Sequence, residues 1–130
     1  MTDALVIEVP LPPRELSANA REFWAREASV KAAYKREIGK AALAARVSTG
    51  WSAPARARIS LHYCTKGSKL AGLYAPRDWD NAVAVFKTAQ DALVEEGILI
   101  GDASRVLEGG SVTFNNKTGP WVQVTIERLS

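Results

Sequence analysis

At 130 residues, with 47% hydrophobic and 24% charged side chains and a formal net charge of +3, the chain has the size and composition of one globular domain with one core. A single cysteine, Cys64, excludes an internal disulfide, and a single histidine, His62, excludes a zinc site built on Cys and His clusters. The chain does not open with a cationic segment followed by an apolar run, and it has no stretch fit to span a bilayer. The expectation is therefore no signal peptide, no membrane partner and a reducing, cytoplasmic setting.

Leu5-Val6-Ile7-Glu8-Val9 is β-rich and closed by Pro10, which predicts a first strand. A turn through Pro12 and Pro13 follows. Residues 14–28, with Ser17 and Asn19 as candidate caps and Phe23-Trp24 as an apolar patch, read as loop or helix start. Val30, Ala33, Tyr34, Ile38, Ala41 and Ala42 recur at three and four residues, predicting an amphipathic helix from an N-cap at Ser29 to about Arg46. Ser48 to Pro54 reads as a polar connection. In the next run Ala57, Ile59, Leu61 and Tyr63 alternate with Arg58, Ser60, His62 and Cys64, the pattern of a half-buried strand. On its polar face, His62 is either a general base or phosphate ligand, or a structural residue.

Thr65 to Arg77, with Lys66, Lys69, Gly67 and Gly72, reads as a mobile basic loop. From Asn81 to Glu96 one stripe of Ala82, Val85, Phe86, Ala89, Ala92 and Leu93 predicts a single helix, ended by Gly97 as a C-cap glycine. A β-rich stretch around Arg105 to Phe114 carries Gly109-Gly110, which suggests a bulge. The turn Asn115 to Gly119 is expected to join it to a last strand, Trp121 to Arg128, in a terminal hairpin. The class is α/β (α+β). A mixed sheet in the order strand-helix-strand-helix-strand-strand carries the helices packed on it.

The chemistry concentrates at Asp78-Trp79-Asp80-Asn81 and at Gly101-Asp102. Two carboxylates one residue apart share a side if the backbone is extended. Paired oxygen ligands suit Mg²⁺, which takes one or two carboxylates together with substrate phosphate, so a phosphodiester is the expected substrate. The plainer reading of Asp80 is an N-cap, which leaves Asp78 without a role. Lys87, two turns into the predicted helix, points back toward its start and so toward a phosphate held there. Charge is also divided along the chain. Residues 14–77 hold thirteen Lys and Arg against four acids, whereas residues 78–130 hold four against eight. Lys31, Lys35, Lys40, Arg58, Lys66, Lys69 and Arg77 are the candidate polyanion contacts, the alternative being a solvated basic face.

With these residues in view, the chain resembles the RusA-type Holliday junction resolvases, in particular their phage and prophage branch. The resemblance runs from Pro12-Pro13-Arg14-Glu15-Leu16-Ser17-Ala18-Asn19 through Arg77-Asp78-Trp79-Asp80-Asn81. It continues with Lys87, Asp91-Ala92-Leu93, Gly97 and the last acid. It implies that Asp78, Asp80 and Asp102 are metal-binding catalytic acids, that Lys87 supports them, and that a homodimer cuts four-way DNA junctions symmetrically using Mg²⁺, with Mn²⁺ as a substitute. One departure is Gly101, where the family usually has a first aspartate. A branched-DNA-binding module of the same fold that does not cut is the alternative. An Asp-x-Asp phosphatase is disfavoured, because Ala75-Pro76-Arg77 is no buried strand.

Chain geometry adds one expectation. A straight helix over residues 81–97 has ends about 24 Å apart, and the five steps from Gly97 to Asp102 span at most about 17 Å. Asp102 then meets Asp80 only by running straight back along the helix, or it is supplied by a partner chain across a two-fold interface.

Overall fold

The structure, a computed structural model, describes residues 3–16, 24–76 and 79–129. Ser17, Asn19, Phe23, Arg77 and Asp78 lie outside the described residues or their side chains. The fold is α+β in a single domain: one mixed four-stranded sheet with helices packed against it. Its elements are β1 (Ala4–Val9), a short 3₁₀ turn (Arg14–Leu16), α1 (Trp24–Thr49), β2 (Ala57–Cys64), α2 (Trp79–Val85), α3 (Lys87–Glu95), β3 (Leu107–Asn115) and β4 (Trp121–Arg128).

The strand order is β1-β4-β2-β3. β4 pairs antiparallel with both β1 and β2, and β3 runs parallel to β2. The terminal hairpin expected from the sequence is therefore not formed, since β2 lies between β3 and β4. Strands sit about 4.8 Å apart, so the connection from Asn115 to Trp121 has only about 10 Å to cross. It passes over the end of β2, where Thr65 N–H donates to Asn115 O (3.0 Å) and Lys66 N–H to Thr118 O (2.9 Å). Gly119 makes that passage fit, with φ at 129° and a position where a Cβ would sit 2.6 Å from the Cys64 carbonyl carbon.

Alternation in the strands sets the core. Leu5, Ile126 and Ile59 are aligned across three strands, as are Ile7, Val124 and Leu61, and Val9, Val122 and Tyr63. All nine are buried, and their face meets Tyr34, Ile38 and Ala42 of α1 and the stripe Ala82 to Leu93 of α2 and α3. α1 is longer than predicted: it starts before Ser29, which is interior, and ends at Thr49 with Gly50 in the left-handed region at φ 70°. Ser48 and Thr49 thus belong to the helix. Trp51, read as part of a polar connection, is buried, with its Nε1 donating to Ile98 O (3.0 Å) and the Arg128 guanidinium 4.6 Å from its ring.

The predicted second helix is two helices. Phe86 separates them while keeping near-helical angles, φ −71° and ψ −10°. No Pro or Gly marks the break, and the apolar stripe continues through it. Gly97 ends α3 as expected, at φ 78°, with Ile98 N–H donating to Leu93 O (2.9 Å). The predicted bulge is present on β3, where the register with β2 steps from Ile59–Gly109 to Leu61–Val112.

Candidate active site

α2 is held to the sheet by a buried phenol. Tyr63, on β2, donates to Ala82 O (2.6 Å) and stacks on Tyr74 at 4.9 Å between centroids and on Phe114 at 5.6 Å. Tyr74 in turn donates to Pro12 O (2.7 Å), and Tyr34 of α1 donates to Pro10 O (2.7 Å). The Pro-rich turn therefore supplies carbonyl acceptors to phenols from two other parts of the chain. Burial pushes all three phenols well above the usual tyrosine range, so they remain donors. The connection from Thr65, read as a mobile loop, is anchored by Tyr74 and by Asn81 Nδ2 donating to Leu73 O (3.3 Å).

On this support Trp79 and Asp80 open α2, both exposed. The Asp80 carboxylate makes no hydrogen bond or ion pair among the described residues; Asp78 lies outside them. Asn81 turns inward and is buried.

The loop after α3 folds back along that helix. Asp102 forms a short ion pair with Lys87, the first residue of α3, and Lys87 also reaches Asp91 at 3.2 Å. The helix break accounts for the reach. α3 alone is nine residues, about 13 Å long, and five residues span that distance where they do not easily span the whole of residues 81–97. Asp102 meets Lys87 within one chain. The ion pair holds the Asp102 carboxyl below the usual aspartate range, and Asp102, followed by Asp91, raises the Lys87 ammonium. A cleft of about 240 Å³ beside it is lined by Lys35, Asp91, Val94, Glu95 and Asp102. Among the described residues no group of three His, Cys, Asp or Glu is placed to hold a metal ion. At Gly101 an added Cβ would meet only Val106, at an ordinary 3.6 Å, so space does not explain the missing aspartate.

The candidate DNA contacts do not form one track. Lys31 and Lys40 are exposed on α1, Lys40 near Glu37 at 3.5 Å, and Lys35 is paired with Glu95 at 2.6 Å. Arg58 lies on the sheet face away from the core, between Glu108 (3.2 Å) and Glu127 (4.0 Å). Lys66 and Lys69 are exposed after β2, and Arg77 is outside the described residues. His62 is tied into the same open face. Asn115 Oδ1 accepts from Lys117 N–H (2.9 Å) and Thr118 N–H (3.0 Å), which orients its amide Nδ2 toward His62 Nε2 at 2.7 Å. Nε2 is thus an acceptor, and Nδ1–H donates to Thr113 Oγ1 at 2.5 Å. Both nitrogens thus have partners on the sheet.

The sequence pattern gave Trp79 no role beyond its place between two acids, and Asp91 none beyond the Asp91-Ala92-Leu93 element of the resemblance. The signal for Trp79 was present: it falls outside the apolar stripe of the helix that it begins. No family model and no curated protein matches the chain. No helix among the described residues is long and apolar enough to cross a membrane.

Proposed function

We propose that the protein is a homodimeric, Mg²⁺-dependent endonuclease that cuts branched DNA at four-way junctions. The observation that carries this reading is the meeting of Lys87 and Asp102. The two stand 15 positions apart and are brought together by a loop that returns along α3. Asp80 stands seven positions upstream of Lys87, at the start of α2, exposed and without a hydrogen bond or ion pair among the described residues.

The donor chemistry fits the metal. Asp80 is an exposed carboxylate with no hydrogen bond or ion pair among the described residues, and the exposed Asp102 carboxylate is ion-paired with an exchangeable surface cation. Asp78 and Asp80 would hold Mg²⁺, with Asp102 completing the set. When bound, such an ion activates water and neutralises charge on the phosphate. The chain's own residues do the rest. Lys87 keeps Asp102 ionised and fixed over α3, and its ammonium stands as a positive charge for the phosphate in the transition state. Tyr63 fixes α2 to the sheet and thereby the backbone that carries Asp80. Lys31, Lys66 and Lys69, exposed and free of ion pairs among the described residues, would contact backbone phosphates without reading sequence.

One observation favours a second reading, a branched-DNA-binding module that does not cut: Asp102 is already neutralised by Lys87. Incubation of a labelled four-way junction and a linear duplex of the same arms with Mg²⁺ separates the two. Symmetric incision of the junction alone supports the nuclease. Junction-selective binding without incision under Mg²⁺ or Mn²⁺ supports the module, and equal treatment of both DNAs contradicts each.

A further inference from the structure

We infer that Trp79 and the groove beneath it form a seat for one unstacked nucleobase next to Asp80. This inference rests on the proposed function and names the part of the substrate that the site would take. The groove, about 290 Å³, lies between the α2–α3 segment and the β2–β3 edge of the sheet. Trp79, Val83 and Phe86 line it from the helices, and Ile59, Leu61 and Val112 from the sheet. Gly109 and Gly110, at the bulge, add no side chain to its lining.

Three properties select the occupant. No charged side chain lines the groove, so a phosphate is unsuited to it and an uncharged base is suited. Its volume, at the lower end of the roughly 300–1,000 Å³ of small-molecule sites, matches a single flat ring system. The indole of Trp79 is 59% exposed, a large aromatic face left in water beside Asp80, and such faces stack on bases irrespective of sequence. Trp79, through its indole N–H, and Gln90 are the lining side chains with hydrogen-bonding groups, and the Gln90 amide makes no hydrogen bond among the described residues. A base edge satisfies that amide, whereas an apolar side chain inserted by a second copy of the chain would not. Bases at a junction's crossover are the ones most easily unstacked, so a nucleotide whose phosphate lies at Asp80 would place its base, or its neighbour's, over Trp79.

The test uses binding without cleavage. A fluorescent single-stranded oligodeoxynucleotide and an abasic oligonucleotide of the same length are titrated with the full chain in EDTA, and the Trp79 indole and Gln90 amide are followed by NMR. The wild type is expected to prefer the strand with bases, and Trp79→Ala to weaken that strand roughly 5- to 150-fold while leaving the abasic strand unchanged. The two resonances shift with the base-bearing strand only. The inference is overturned if the wild type shows no preference, or if Trp79→Ala keeps it. It is equally overturned if the resonances respond to protein dilution instead of DNA, which gives the groove to a second copy. Trp79 is exposed, so the variant should fold; an unchanged NMR spectrum elsewhere verifies that. Base seating without junction incision would keep this inference and remove the nuclease reading, and incision without seating would do the reverse.

Discussion

Replacing Tyr63 by Phe removes one oxygen atom and tests how α2 is held to the sheet. The ring remains stacked on Tyr74 and Phe114, so packing is almost unchanged, and the loss is the hydrogen bond to Ala82 O at 2.6 Å. Both residues are fully buried, so no water replaces the donor. A buried acceptor deprived of its partner costs about 1–3 kcal/mol, offset in part because the phenol itself need no longer be desolvated. A net loss of about 1–2 kcal/mol is expected. With a urea slope of about 1–3 kcal/mol/M the midpoint falls by roughly 0.3–2 M at unchanged slope. Tyr34→Phe, which loses a bond to Pro10 O on the other side of the core, is the control. Pro10 is exposed, so water can take over its carbonyl, and this variant should destabilise by less than Tyr63→Phe without altering α2. Hydrogen exchange reads the difference, with the amides of residues 79–85 opening faster in Tyr63→Phe only. An unchanged midpoint, or α2 amides that exchange as in the wild type, would refute the idea that this phenol positions the helix carrying Asp80.

The two glycines of the β3 bulge should respond differently to alanine. Gly110→Ala is expected to cost about 1–3 kcal/mol through its collision with Ser60 and Ile59 O, while Gly109→Ala, with nothing within 4 Å, should stay within about 0.5 kcal/mol; thermal unfolding compares them. Lys87→Met should return the Asp102 carboxyl upward, as seen in a ¹³C-detected titration. Because the folded value is depressed, the contribution of the ion pair is present above the unfolded aspartate value and is lost as pH falls through the folded one. On the Lys87 side, where the folded value is raised, it is lost as pH rises through that value. An Asp102 titration indifferent to Lys87→Met would contradict the pairing.

The sequence made some of this legible for physical reasons. Period-two alternation fixed which face of β2 is buried, and the positive φ that only glycine accepts comfortably marked the end of α3 at Gly97. The β3–β4 neighbourhood was not legible. A polar turn between two strands looks the same whether they pair directly or flank a third, and what decides is β2, more than fifty residues upstream of β4. The break at Phe86 left no trace either, since the stripe Ala82, Val85, Phe86, Ala89 serves one bent helix as well as two. At the site, the acids and Lys87 were visible as residue types, but their pairing was not. Whether Asp102 reaches back depended on the length of α3, hence on that unmarked break. Ion pairs to Lys35 and Arg58 likewise come from distant elements, Glu95 and Glu108.

The most direct test of the central claim is the behaviour of Asp80→Asn on a labelled four-way junction with Mg²⁺. The exchange keeps size and removes charge at an exposed carboxylate that has no hydrogen bond or ion pair among the described residues, so fold and junction affinity should persist. The account predicts metal-dependent incision by the wild type and at least a hundredfold slower incision by the variant, a loss of about 2.7 kcal/mol or more in transition-state stabilisation. Incision by Asp80→Asn at the wild-type rate, or no incision by either protein despite tight junction binding, would contradict it.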